Sequence, residues 1–111
     1  MCGGQSNSMA DYITRTDILK EAIQLTTNER NEAYGEPYFN HERIARIWSV
    51  ILGHTIEPSQ VALCMAGLKL ARLSGQSTPD SYVDGAAYFA IAGELHEIET
   101  IRDEAKDKTW G

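Results

Sequence analysis

The chain has 111 residues, enough for one domain with one sizeable core and too few for two. Its net charge of −6 excludes the broad basic surface of a duplex-binding protein, and no apolar run approaches the roughly 20 residues of a membrane span. Cys2 and Cys64 do not make a disulfide framework, which favours a reducing compartment and predicts a cytoplasmic protein. The Gly/Ser/Asn-rich start predicts a flexible leader over residues 1–13, followed by a single domain over 14–111.

Capping signals define the first two predicted helices. Thr14 followed three residues later by an acid resembles a capping box, and Gly35 is a natural stop, so helix one is predicted over 17–34. Asn40 is a suitable N-cap for helix two, which Gly53 ends. The apolar stripe expected to face the core on helix two consists of Ile44, Ile47, Trp48, Ile51 and Leu52.

Proline and glycine mark the other two helices. Pro58 suits the first turn of helix three and Gly75 its end, while Thr78 caps a fourth helix that is predicted to reach about Ile101. The expected buried positions of these helices are Val61, Ala62, Cys64, Met65, Leu68, Ala71, Val83, Ala87, Ile91, Leu95 and Ile98. The pattern predicts an all-α fold, a compact bundle of four helices. The long fourth helix favours a homo-oligomer, a dimer or larger.

Two pairs of carboxylates are candidates for a metal site. The apolar row of helix one (Ile18, Ala22, Leu25) continues by the same helical steps to Glu29 and Glu32, and Asp80 and Asp84 share one face of helix four. Buried carboxylates are costly unless they are paired or bind a cation, so four of them indicate a Mg²⁺ site. The alternative is that Glu29 and Glu32 are solvated and that Asp80 and Asp84 complement the helix dipole.

Basic and aromatic residues suggest a phosphorylated ligand. Lys69 and Arg72 lie three apart on helix three and suit phosphate oxygens, although they equally suit the dipole at the end of a helix. Tyr34 lies in an aromatic Gly/Pro turn, where it can stack on a base or plug the core. We interpret His41 and Trp48 as structural, Trp48 because it lies in an apolar stripe.

The sequence resembles a small helical family of phages and prophages over roughly residues 17–99. The residues that carry this resemblance are Arg30, Tyr34, Gly35, Asn40, Trp48, Lys69, Arg72, Asp80, Asp84 and Tyr88. That family is distantly similar to the MazG-like all-α nucleotide pyrophosphohydrolases, whose ExxE motif has the spacing of Glu29 and Glu32. Their second motif, ExxD, differs from the Asp80–Asp84 spacing of four.

The resemblance implies a Mg²⁺-dependent cleavage of a nucleoside triphosphate into a monophosphate and pyrophosphate. It makes Glu29 and Glu32 catalytic and, together with Asp80 and Asp84, ligands of the metal. The substrate-binding residues that it implies are Arg30, Tyr34, Asn40, Lys69, Arg72 and Tyr88. Two alternatives stay open, a phage protein that binds a nucleotide without catalysis and a purely structural helical oligomer. For a phage-encoded protein, the expected compartment is the host cytoplasm, with no duplex nucleic acid and no membrane as partner.

Overall fold

The computed structural model describes residues 11–27, 37–76 and 78–110, and within these ranges it contains helices and no strand. The four helices are α1 (Arg15–Thr26), α2 (Pro37–Leu52), α3 (Pro58–Arg72) and α4 (Pro79–Trp110). The predicted all-α fold is therefore confirmed for this part of the chain. None of its helices combines the length and apolar character needed to cross a bilayer.

Helix α1 begins as predicted and ends earlier than predicted. The Thr14 hydroxyl accepts from the backbone N–H of Asp17 (3.3 Å), and the Asp17 carboxylate accepts from the N–H of Thr14 (3.1 Å), which completes the capping box. The helix ends at Thr26, because Thr27 is extended with φ −135° and ψ 177°. The prediction of one unbroken helix over 17–34 is wrong at Thr27, and residues 28–36 lie outside the described ranges.

The ends of α2 and α3 follow proline and glycine closely. Helix α2 starts at Pro37, so Asn40 lies inside the helix and the prediction that it is the N-cap is wrong. Gly53 ends α2 with φ +80°, a conformation that favours glycine, as predicted. Helix α3 starts at Pro58 as predicted, and its last residue lies three positions before Gly75.

Helix α4 is the longest element and organises the packing. It has 32 residues, a length of about 48 Å, and continues past the predicted end near Ile101 to Trp110. Helix α3 packs along it, α1 packs against its N-terminal half, and α2 packs against α3. The two buried clusters are Ala22, Val83 and Ala87 between α1 and α4, and Ala62, Ala92 and Leu95 between α3 and α4. Small residues dominate both clusters, so the helices approach closely.

Several predicted core positions are exposed. On α2, Ile47 and Ile51 are 59% and 72% exposed, while Ala45 and His41 are buried and Trp48 is half-buried. The predicted stripe was wrong because α2 is apolar on two faces and packs through the other one. Leu52 of the same stripe is 57% exposed. Six predicted core residues of the other helices are also exposed or only partly buried, namely Cys64, Met65, Leu68 and Ala71 on α3, and Ile91 and Ile98 on α4.

Candidate functional site

The centre of the candidate site is an ion pair between α3 and α4. Lys69 lies in the last turn of α3 and Asp84 in the second turn of α4, with Nζ 3.2 Å from Oδ2. The side chain of Lys69 is 16% exposed and that of Asp84 is 33% exposed. Gly85 follows Asp84 at this contact, and a Cβ at this position would lie 3.8 Å from Cβ of Lys69, an ordinary van der Waals distance. A predicted phosphate ligand and a predicted metal ligand thus contact each other directly.

Asp80 and Arg72 flank this pair along their helices. Asp80 is exposed in the first turn of α4, one turn before Asp84, so the two carboxylates share a face. Arg72 is the exposed last residue of α3. Both cations lie in the last turn of α3, where they also complement the negative end of the helix dipole. The end of α3 and the start of α4 therefore gather two cations and two carboxylates.

Tyr88 continues the same row, one turn beyond Asp84 on α4. It is half-buried, and its ring meets the imidazole of His41 on α2 edge-to-face, with centroids 6.2 Å apart and planes at 68°. Asn40 is half-buried next to His41. His41 is 5% exposed, so it belongs to the packed interior. It lies four residues before Ala45 and so shares the buried face of α2.

Four of the predicted site residues lie outside the described ranges. They are Glu29, Arg30, Glu32 and Tyr34. The helical phase that led from Leu25 to Glu29 is interrupted at Thr27, so the geometric argument for their convergence with α4 no longer holds. Their roles, including the approach of Glu32 to Asp84, stay predictions.

The donor set near Lys69 suits Mg²⁺ only in part. Among residues 11–27, 37–76 and 78–110, no three His, Cys, Asp or Glu side chains form a group that could hold a metal ion. Asp80 and Asp84 supply hard oxygen ligands, but Lys69 already neutralises one of them. Proteins often bind Mg²⁺ through one or two carboxylates together with phosphate oxygens of a substrate. These residues thus fit a Mg²⁺–phosphate complex better than the bare ion.

A second polar cluster, at the other end of α3, was not predicted. Glu99 is 7% exposed, and its carboxylate accepts from the backbone N–H (2.9 Å) and the hydroxyl (2.7 Å) of Ser59. Ser59 lies in the first turn of α3, where a carboxylate also complements the helix dipole. We therefore interpret Glu99 as a structural cap. Its partner lies 40 residues away, so no local pattern reveals it.

An open groove of about 410 Å³ lies beside this cluster, between α2 and the end of α4. Its two arginines are already paired, Arg46 with Glu42 at 3.3 Å and Arg102 with Glu57 at 3.3 Å. Hydrogen bonds to Glu57, and then to Asp103, raise the pKa of the Arg102 guanidinium above its usual value. The groove therefore presents little uncompensated positive charge, and the Lys69 region is the better candidate for a phosphate.

The fold and this site define a small all-helical domain with a row of charged and aromatic residues where α2, α3 and α4 meet. The chain belongs to the family described as a domain of unknown function (DUF6378), which matches residues 17–96. This result confirms the resemblance to a phage family. The likeness to MazG-like enzymes stays a prediction, since the family description states no activity.

Two similar proteins come from mycobacteriophages. The Gene 55 protein of Mycobacterium phage D29 is 35% identical over 100 residues, and that of Mycobacterium phage L5 is 36% identical over 93 residues. The matches cover 81% and 82% of this chain but only 66% and 58% of the relatives. The chain therefore spans about three fifths of their length. No solved structure matches the chain significantly.

Proposed function

We propose that the protein binds a nucleoside triphosphate at the Lys69–Asp84 pair and cleaves it, with Mg²⁺, into a monophosphate and pyrophosphate. The observation that supports this proposal is the ion pair itself. A lysine that is only 16% exposed is held in place beside the carboxylate of Asp84 and about one turn from an exposed arginine. This arrangement positions a cation before any ligand arrives.

The charges suit a triphosphate together with its metal. The ammonium of Lys69 has three donors and lies 3.2 Å from Oδ2 of Asp84, so donors remain that can bind phosphate oxygens. Arg72 can donate two parallel hydrogen bonds to a further phosphate. Asp80 and Asp84 would hold Mg²⁺ once phosphate oxygens complete its shell. When bound, the metal neutralises phosphate charge and promotes the attack of water.

The remaining roles in this proposal fall on residues outside the described ranges. Glu29 and Glu32 would complete the metal site, and one of them would accept the proton of the attacking water. Arg30 and Tyr34 would contact the substrate. At the described end of the site, Tyr88 and Asn40 lie near the same row and would contact the nucleoside.

One observation favours a second candidate, a nucleotide-binding protein without catalysis. Asp84 is neutralised by Lys69 and does not need a metal ion to compensate its charge. A site built in this way can hold phosphates through Lys69 and Arg72 alone. The two candidates differ in what Mg²⁺ does, since only the enzyme requires it for a reaction.

The experiment measures nucleotide binding by calorimetry and pyrophosphate release by an enzyme-coupled assay, with a panel of ribo- and deoxyribonucleoside triphosphates. Lys69→Met should weaken binding by about 10-fold or more, as expected for the loss of a hydrogen bond to a charged group. The matched control Lys20→Met removes an exposed lysine on α1 and should bind like the parent.

Mg²⁺ then separates the two candidates. Release of pyrophosphate that needs Mg²⁺ and is lost in Asp84→Asn would support the enzyme. Binding that is equal with and without Mg²⁺, with no product, would support the binder. If no nucleotide binds under either condition, both are wrong.

A further inference from the structure

Helix α3 carries an apolar surface that none of the residues described by the structure covers. Between residues 58 and 71 the only charged residue is Lys69, and its side chain is directed toward Asp84 on α4. Leu63 and Leu70 share a face about a third of a turn around the helix from Lys69, and they are 48% and 70% exposed. A helix that is apolar all round is typical of a buried helix. Half of α3 is nevertheless open to solvent.

Helix α2, which packs against α3, adds to this surface. Ile47, Val50 and Ile51 share its outer face and are 59%, 83% and 72% exposed. We call these exposed side chains of the two helices the α2–α3 apolar surface. Its six large members are Ile47, Val50, Ile51, Leu63, Leu68 and Leu70.

The area of this surface matches what a stable dimer needs. An aliphatic side chain contributes roughly 60–120 Å² of apolar area, so six of them at these exposures present on the order of 250–450 Å². The exposed Cys64, Gly67 and Ala71 between them add more. A standard interface buries about 800 Å² per partner, of which about 450 Å² is apolar. The surface is thus large enough for one partner of similar character.

Shape and charge favour a second copy of the chain as that partner. The net charge of −6 makes two copies repel. This surface bears the exposed Arg43 and Arg46 of α2 and no charged residue on the exposed side of α3 between residues 58 and 71, so two copies can meet there without opposing carboxylates. The exposed leucines protrude from this surface, and the small residues Gly67 and Ala71 leave shallow depressions between them. A two-fold interface joins the same surface of two copies, so that surface has to be complementary to itself.

We propose that the α2–α3 apolar surface is the interface of a homodimer. This proposal does not depend on nucleotide binding. Sedimentation equilibrium of the full chain over about 1–200 µM tests it. The parent should sediment as a dimer, and Leu63→Glu/Leu70→Glu should sediment as a helical monomer with at least about 100-fold weaker association.

The matched control is Leu19→Glu/Ile23→Glu on α1, whose two side chains are 57% and 61% exposed. It should remain a dimer. A parent that is monomeric at every concentration overturns the proposal, as does dissociation of both double variants to the same extent. A surface that binds a different protein or the N-terminal segment gives the first of these results.

Alkylation of Cys64 offers a second readout, in a Cys2→Ser background. At concentrations where the parent is dimeric, Cys64 should react several-fold more slowly than in Leu63→Glu/Leu70→Glu. Equal rates, measured where the parent is shown to be a dimer, would place the interface elsewhere and overturn the assignment of this surface.

Discussion

Glu99 should contribute more to stability than the exposed acidic residues of the same helix. Its carboxylate accepts two hydrogen bonds from Ser59 at the start of α3, and both residues are buried, at 7% exposure each. Glu99→Ala removes both acceptors and leaves the N–H and hydroxyl of Ser59 without them. Ser59→Ala removes only the hydroxyl and leaves the N–H bond in place.

The magnitude follows from these two bonds. A hydrogen bond to a charged group contributes about 1.5–3 kcal/mol, and part of the loss is recovered where water enters the space left by the side chain. We expect Glu99→Ala to lower the free energy of unfolding by about 2–4 kcal/mol. Ser59→Ala should lower it by about 1–2 kcal/mol. Glu99→Gln keeps one acceptor and should fall between Glu99→Ala and the parent.

Urea unfolding followed by circular dichroism measures these differences, at one protein concentration for all variants because association also affects stability. The control is Glu97→Ala, which makes the same change at an exposed position on the same helix. It should change the free energy of unfolding by less than about 0.5 kcal/mol. If Glu99→Ala is no more destabilising than Glu97→Ala, the interpretation of Glu99 as a buried cap is refuted.

Three further predictions concern individual positions. Gly53→Ala should cost about 1 kcal/mol by thermal unfolding, because φ is +80° and no atom lies near enough to offer a new contact; an unchanged melting temperature would contradict this. A double-mutant cycle of Arg102→Gln with Glu57→Gln should give a coupling free energy under about 1 kcal/mol that falls as salt is added, because both side chains are 37% exposed. A coupling free energy that does not change with salt would contradict this prediction. Trp48→Ala should cost about 1–3 kcal/mol, less than for a fully buried aromatic, because Trp48 is half-buried; a larger loss in chemical denaturation would indicate that it is covered in solution.

The sequence predicted the helix boundaries that depend on local chemistry. The reciprocal bonds of Thr14, the proline at the start of α3 and the positive φ of Gly53 each depend on neighbours within a few residues. The start of α2 was predicted four residues late, because Asn40 looked like a cap and the proline before it was taken as part of a turn. Local signals thus located the helices to within about one turn at most ends.

Which face of a helix is buried could not be predicted with the same success. Helix α2 is apolar on two faces, and periodicity alone gives no reason to prefer the face of Ala45 over that of Ile47. The prediction that Glu29 shares the face of Leu25 required a continuous helix. The extended backbone at Thr27 shows that the helix ends before Glu29. In both cases the deciding information is tertiary.

In the candidate site, too, residue types could be predicted from the sequence, whereas the contacts between them depend on tertiary packing. Lys69, Asp84 and Tyr88 were chosen by residue type and spacing, and the structure brings Lys69 and Asp84 into contact. Spacing along two separate helices does not show that these two charges neutralise each other, because the contact depends on how the helices pack. His41 was taken as structural, and its contact with Tyr88 depends on how α2 packs.

The two polar contacts of α3 with α4 also determine how far one helix can slide along the other. Ser59 meets Glu99 near one end of α3 and Lys69 meets Asp84 near the other, so the helices are antiparallel and are fixed at two points. The alanines between them are nearly interchangeable and would tolerate a shift of one turn. The polar pairs would not, because the same shift would separate both at once. The alignment of α3 along α4 is therefore specified by four side chains, and the uniform apolar seam between them mainly holds the helices together.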